Sequence, residues 1–179
     1  AARELRYDWF FELANQLDFD YIITAHHADD NLETFLINFT RGTGLEGLTG
    51  IPEMNGKIAR PLLPFSRNDL EVFAIGKKIE WREDSSNATN KYLRNQLRHD
   101  IIPTLKQMNP QLLQNFQTTI DHLQDSQQIV DDVIAKLQKN AVSVEDDLIK
   151  IKIKKLKKLS NPKAYLFELL KDFNFTEWN

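Results

Sequence analysis

Cysteine is absent from the 179-residue sequence. Without it there are no disulfides, no thiolate metal ligands and no cysteine nucleophiles. Also missing are an apolar run near the roughly 18 residues that a membrane-spanning helix needs and the apolar core of a secretory signal. Membrane insertion and secretion are therefore unsupported, and we expect a cytoplasmic location.

A strong excess of charge is lacking as well. The chain has 23 Lys and Arg residues against 26 Asp and Glu residues, a net charge of −3. Because the numbers of basic and acidic residues are nearly equal, the overall charge does not point to a polyanion as partner. Any nucleic-acid surface therefore has to be local. What is present, 41% hydrophobic and 27% charged residues, is typical of a folded globular protein. The chain opens at Ala1 in a mid-helix pattern without an initiator Met, and we expect it to be a fragment.

Helical and strand patterns alternate at the start of the chain. Apolar residues recur every four positions over residues 3–17 and predict an amphipathic helix. Residues 19–24 read as a short buried strand, and a polar stretch then leads into a second helix with apolar residues from Leu32 to Phe39. This helix–strand–loop–helix order is typical of an α/β parallel-sheet unit.

The next patterns predict helices and their ends. Ser66 and Asp69 form a capping-box pair for a helix that reaches about Lys78. A polar loop follows, and then a helix predicted to stop before Pro103. We place a domain boundary near residue 108. It divides the chain into an α/β domain over residues 1–107 and a mainly helical domain over residues 108–179.

A long helix opens the second domain, after Asn109 and Pro110. Its apolar positions alternate gaps of three and four, which predicts that it packs along another helix. The seam consists of positions 113, 116, 120, 123, 127, 130, 134 and 137, all apolar except Gln127. From Val142 a β-like alternation reaches Ile153, and a last helix begins near Asn161.

The segment Thr24–Thr34 concentrates two imidazoles and three carboxylates at a strand-to-helix junction. Ligands of α/β sheets bind at such strand ends. Asp30 and Glu33 are three residues apart, hence on one helical face, where they could hold Mg²⁺ or an ammonium group. A neighbouring histidine could meet a phosphate or move a proton. The alternative is that Asp29 or Asp30 only caps the helix.

Four ordered motifs resemble those of the tRNA(Ile)-lysidine synthases, N-type ATP pyrophosphatases of the PP-loop superfamily. They are His26–Thr34, Phe39–Leu48, Arg60–Arg67, and Glu83–Asn87 with Tyr92–Arg98; the opening Ala2–Tyr7 is similar too. The resemblance is strong over residues 1–110 and loose beyond. It implies part of a parallel-sheet PP-loop domain followed by a mainly helical domain with a small β element.

That family adenylates the 2-carbonyl oxygen of the wobble cytidine of tRNA(Ile) with a CAU anticodon. The ε-amine of lysine then displaces AMP. The resemblance therefore implies ATP and Mg²⁺ as cofactors, tRNA(Ile) and L-lysine as partners, and a homodimer. It also implies an S-G-G-x-D-S loop upstream of Ala1 that cradles the ATP phosphates, without which this chain should not turn over.

The resemblance implies catalytic roles for five residues: His26, His27, Asp30, Glu33 and Arg98. It implies tRNA or phosphate contacts for three arginines: Arg6, Arg41 and Arg94. Asp30 and Glu33 would position the lysine amine or Mg²⁺, and only one of the adjacent histidines would face the site. Structural ion pairs are the alternative for the arginines, and turn formation is the alternative for Asp84, Asn87 and Asn95.

Two other functions fit parts of the pattern. A tRNA-thiolating enzyme of the same superfamily shares the adenylation step, but the lack of cysteine argues against it. A non-catalytic RNA-binding or helical interaction module would account for the long apolar seam. The lysines between Lys150 and Lys158 are either a weak tRNA contact or protection of an exposed strand edge.

Overall fold

The computed structural model describes residues 2–82, 93–146 and 148–173. The chain forms two compact units, residues 1–124 and residues 125–179. This division falls inside a long helix, and the functional boundary at residue 107 stays a prediction. The motif at residues 83–87, with Asp84 and Asn87, lies outside the described residues. In the part that is described, no helix has the length and apolarity needed to cross a membrane.

The first unit alternates helices with short strands. Its elements in chain order are α1 (Ala2–Gln16), β1 (Ile22–Ile23), α2 (Ala28–Thr40), β2 (Met54–Asn55), β3 (Ile58–Ala59), α3 (Arg67–Gly76), α4 (Leu93–Gln96), α5 (Ile102–Met108) and the first half of α6 (Leu112–Ala141). The predicted helices at 3–17 and after Asp30 are confirmed as α1 and α2. The helix predicted from Ser66 is confirmed as α3, capped by Ser66 and Asp69.

A three-stranded sheet has the order β1-β3-β2. Strands β1 and β3 are parallel, with Ile22 beside Ile58, and β2 and β3 are antiparallel. The parallel pair of strands, together with the helices around it, is consistent with the predicted α/β class. The strand predicted within residues 19–24 is confirmed as β1. Its predicted burial is wrong, because Tyr21 is 60% and Ile23 is 71% exposed. The reason is the position of β1 at the edge of the described sheet.

The core of the first unit forms where α2 meets α5 and α6. Its buried members are Leu32, Leu97, Ile102, Phe116 and Ile120. Phe35 packs edge-on against Phe116, with ring centroids 5.3 Å apart. The first half of the predicted seam on α6 thus packs on another helix, as expected.

The predicted helix end before Pro103 is wrong. A π turn, Leu97–Ile101, joins α4 to α5, so that the helix runs on through the proline. The N–H of Ile102 donates to the carbonyl of Leu97, five residues back. The wider turn lies where proline supplies no N–H donor and where its ring would crowd a regular α-turn.

The second unit contains the end of α6 and a hairpin of β4 (Val142–Glu145) with β5 (Leu148–Ile151). Helices α7 (Ile153–Leu156) and α8 (Pro162–Leu170) follow. The predicted alternation is confirmed as β5, except that Ile153 begins α7 rather than continuing a strand. The last helix is confirmed, with the side chain of Asn161 accepting from the N–H of Ala164 at 3.3 Å.

Candidate functional site

The histidine–acid segment lies at the carboxyl end of β1. The N–H of Thr24 donates to the carbonyl of Ala59 at 3.0 Å, which extends the parallel pairing with β3 as far as the segment. Three residues separate Thr24 from α2. The polar side chains are therefore presented at the edge of the sheet where α/β proteins bind ligands.

The two adjacent histidines have different surroundings. His27 is the N-cap of α2: its Nδ1 accepts from the N–H of Asp30 at 3.4 Å, and Asp30 Oδ2 accepts from the N–H of His27 at 3.1 Å. The N-cap of α2 is therefore a histidine, and Asp30 completes the capping box as its reciprocal partner. The alternative that an aspartate caps this helix holds for Asp30 in that reciprocal role. His26 turns elsewhere, with Nδ1 3.0 Å from Thr24 Oγ1.

Arg98 brings the two predicted acids into one cluster. Its Nε donates to Glu33 Oε1 at 2.6 Å and its Nη2 to Glu33 Oε2 at 2.8 Å, a bidentate pair. The same Nη2 donates to Asp30 Oδ1 at 3.0 Å. Only 1% of the Glu33 side chain is exposed. The bonds to Glu33 raise the pKa of the Arg98 guanidinium, and the nearby charges of Glu33 and Asp30 add to this against the effect of burial.

Arg94 joins the same cluster from α4. Its Nη2 donates to Thr34 Oγ1 at 3.0 Å, and its Nε lies 3.6 Å from Glu33 Oε2. The Arg94 side chain is 46% exposed, so one buried carboxylate is flanked by an inner and an outer arginine. The outer guanidinium is the one within reach of a polyanion.

Arg6 and Arg41 are both exposed. Arg6 is in α1, and Arg41 follows the last residue of α2, whose 13 residues span about 20 Å from the end that His27 caps. Their predicted contact with tRNA stays a prediction.

A third acid, Asp29, forms a tether that the sequence analysis did not anticipate. Its Oδ2 accepts from the N–H of Arg67 at 2.8 Å, and its Oδ1 accepts from Lys106. Burial acts to raise the pKa of Asp29, but the Arg67 N–H and the Lys106 ammonium outweigh it and hold that pKa below its ordinary value. The pair is 77 positions apart in sequence. Nothing in the local sequence pattern signals it.

The lowered pKa of Asp29 predicts a contribution to stability that acid removes. The unfolded chain binds the proton more tightly, so the contribution is complete above the unfolded pKa of roughly 4 and is lost as pH falls through the lower folded value. We expect the urea midpoint of the wild-type protein to fall more steeply between pH 5 and pH 3 than that of Asp29→Asn. Parallel curves for the two proteins would contradict this.

A cavity of about 280 Å³ lies beside the cluster. Acids and bases from several helices share its wall: Asp29 and Glu33 of α2, Arg67 and Glu71 of α3, Arg98 and His99 of the π turn, and Lys106 of α5. His27 also lines it, whereas His26 and Asp30 are not among its lining residues. A small ligand that carries both charge signs matches such a wall.

The arrangement does not favour a magnesium site. Both oxygens of Glu33 and one oxygen of Asp30 accept from Arg98. Within the described residues, no group of three or more histidine or acidic side chains is placed to hold a metal ion. Ligation of Mg²⁺ by Asp30 and Glu33 remains a prediction, and an ammonium or guanidinium group fits these carboxylates better.

Comparison with known proteins identifies the family of the chain. Residues 1–105 match the PP-loop domain family, an ATP-using family, and residues 144–179 match the TilS substrate binding domain. A tRNA(Ile)-lysidine synthase of Porphyromonas gingivalis is 39% identical over 179 residues, which cover 98% of this chain and 38% of the relative.

Other relatives carry the same name. The protein of Parabacteroides distasonis is 39% identical over 98% of this chain and 40% of its own length, and that of Thermosipho africanus is 44% identical over 62% and 26%. The chain thus spans about two fifths of the curated relatives that it matches along its full length. It belongs to the PP-loop family, and its curated relatives within that family are tRNA(Ile)-lysidine synthases.

Proposed function

We propose that the protein carrying this chain joins lysine to the 2-position of the wobble cytidine of tRNA(Ile) with a CAU anticodon. The reaction consumes ATP and releases AMP and pyrophosphate. The observation that carries the proposal is the cluster of Asp30, Glu33 and Arg98 beside a charged cavity, in a chain of this family. A cytoplasmic location belongs to the same proposal, because that is where tRNA, ATP and lysine occur together.

The first step activates the cytidine. Its 2-carbonyl oxygen attacks the α-phosphorus of ATP, and pyrophosphate leaves. Negative charge grows on the phosphoryl oxygens, which fixed donors stabilise. His26 is the better histidine for this role, since the imidazole of His27 already caps α2. Arg94 supplies a half-exposed guanidinium at the same edge.

The second step uses the lysine ε-amine. Glu33 accepts two bonds from Arg98 and lies 3.6 Å from Arg94, whereas Asp30 accepts one bond from Arg98. Asp30 is therefore the less neutralised of the two carboxylates and the better partner for an ammonium group. The amine has to lose a proton before it attacks carbon 2 and displaces AMP. Asp30, the more exposed of the two acids at 19% against 1%, is the more accessible acceptor for that proton.

The two predicted domains divide the work. Residues 1–107 hold the reacting groups, and residues 108–179 contribute to tRNA binding and to a homodimer. In support, residues 144–179 match a substrate-binding family, and six exposed lysines lie close together within positions 150–158: Lys150, Lys152, Lys154, Lys155, Lys157 and Lys158. Local positive charge attracts the phosphate backbone even in a chain with a net charge of −3.

Lysine incorporation tests the proposal. With ATP and a CAU-anticodon isoleucine tRNA, we expect the intact protein to attach labelled lysine to the tRNA. Asp30→Asn should lower the rate about 100-fold or more, because it removes both the charge that holds the ammonium and the proton acceptor. Asp125→Asn, the same change at an exposed position of α6, should leave the rate unchanged.

Different outcomes separate the alternatives. Binding of tRNA without ATP-dependent incorporation would replace the ligase by a binding module. Incorporation of sulfur instead of lysine would indicate the thiolating reaction. Incorporation that Asp30→Asn leaves intact would keep the ligase but remove this acid from its site.

A further inference from the structure

Of the three acids at the start of α2, Asp29 is the one that bonds to α3 and α5 rather than to Arg98. One oxygen accepts from the N–H of Arg67, and the other accepts from Lys106. Its side chain is 12% exposed. All three acids have a donor on each carboxylate oxygen, but the donors of Asp29 come from α3 and α5, whereas Glu33 and Asp30 share Arg98.

The bonds of Asp29 join three elements around the cavity. Arg67 is the first residue of α3, and the N–H of Ala28 donates to the carbonyl of Phe65 at 2.9 Å, so two bonds fasten the start of α3 to the start of α2. Lys106 lies in the last turn of α5. Asp29 therefore holds α3 and α5 against the end of α2 that presents Asp30.

Lys106 and Arg98 belong to one continuous helical run. The π turn that contains Arg98 leads directly into α5, which contains Lys106. A shift of α5 along or about its axis therefore moves the Arg98 guanidinium relative to Glu33. A bidentate pair tolerates only a small displacement of the guanidinium, because both N–H groups must stay within hydrogen-bonding distance of the two carboxylate oxygens. The ion pair at Asp29 limits such a shift.

We infer that Asp29 and Lys106 are positioning residues, which act through Arg98 to hold Glu33 and Asp30 in the geometry that the lysine substrate meets. The inference rests on the proposed function for its substrate. Partners behind the groups that touch a ligand commonly set their orientation. A displacement near 1 Å can cost about 100-fold in rate.

Lys106→Met tests the inference in the intact protein. We expect kcat/KM for lysine incorporation to fall about 10- to 100-fold. Lys106→Arg, which keeps a charged donor, should recover most of the loss. Lys139→Met, the same change at an exposed position of α6, should have no effect. Should Lys106→Met fold poorly, Asp29→Asn keeps an acceptor for the Arg67 N–H while removing the charge opposite Lys106.

A double-mutant cycle separates positioning from general stability. If Lys106 acts through Arg98, its replacement should cost little further activity in an Arg98→Lys background. Losses that multiply independently would overturn the inference. A crystal structure of Lys106→Met gives an answer without any activity: the Arg98 Nη2 to Glu33 Oε2 distance, 2.8 Å in the wild type, should lengthen. An unchanged distance would also overturn the inference, whereas a wild-type protein that incorporates no lysine overturns only the proposed function.

Discussion

Replacing Glu33 with glutamine will destabilise the folded protein by about 3 kcal/mol and lower lysine incorporation about 100-fold or more. Glu33 is almost fully buried and accepts two bonds from Arg98. Glutamine has the same shape but offers one acceptor in place of two and no charge, so the guanidinium is left partly unpaired. This expected destabilisation is at the low end of the range for a broken buried ion pair, because Arg98 keeps its bond to Asp30.

Urea unfolding of the intact protein measures the first effect, and the tRNA assay measures the second. Glu71→Gln is the matched control for stability, because Glu71 pairs with Arg67 at 2.7 Å but its side chain is 42% exposed. Solvent screens such a pair, so its loss should cost under about 1 kcal/mol. Equal losses for the two variants would show that burial of Glu33 does not matter.

Replacing Ile120 with alanine will destabilise the protein by about 3–4 kcal/mol. Ile120 is 1% exposed and lies in the cluster that joins α6 to α2 and α5. The truncation removes buried methyl groups and leaves a cavity that the neighbouring side chains fill only in part. Because Leu97 and Ile102 in the same cluster flank Arg98, incorporation of lysine should fall as well.

Ile129→Ala is the control on the same helix. Ile129 is 65% exposed, and alanine is the better helix former, so the change in stability should stay within about 0.5 kcal/mol. Chemical denaturation followed by far-UV circular dichroism measures both variants. A cost for Ile129→Ala close to that for Ile120→Ala would contradict the described packing of α6.

Features that depend on a few neighbouring residues could be predicted. The Ser66–Asp69 capping box of α3 needs only residues three positions apart and is present as expected. The last helix also begins where it was expected, next to Asn161. Likewise, Asp30 and Glu33 share a helical face by spacing alone. The apolar seam of α6 indicated which side of that helix packs, and Phe116 and Ile120 are buried there.

Local pattern misled where a neighbour in space decides the outcome. The apolar residues near β1 predicted burial, yet β1 is at the edge of the described sheet and Ile23 is exposed. Pro103 predicted a helix end, yet the π turn carries the helix through it. Capping of α2 by Asp29 or Asp30 was the alternative for this segment, and the structure has His27 at the N-cap with Asp30 completing the capping box.

The sequence by itself determined the kinds of chemical group at the site and their order along α2, because helical spacing follows from the backbone. Only the tertiary structure decided their partners. Arg98 meets Glu33 across 65 positions, and Lys106 meets Asp29 across 77. Such contacts depend on how α2, α3 and α5 pack, and packing is a property of the whole core rather than of any short stretch of chain.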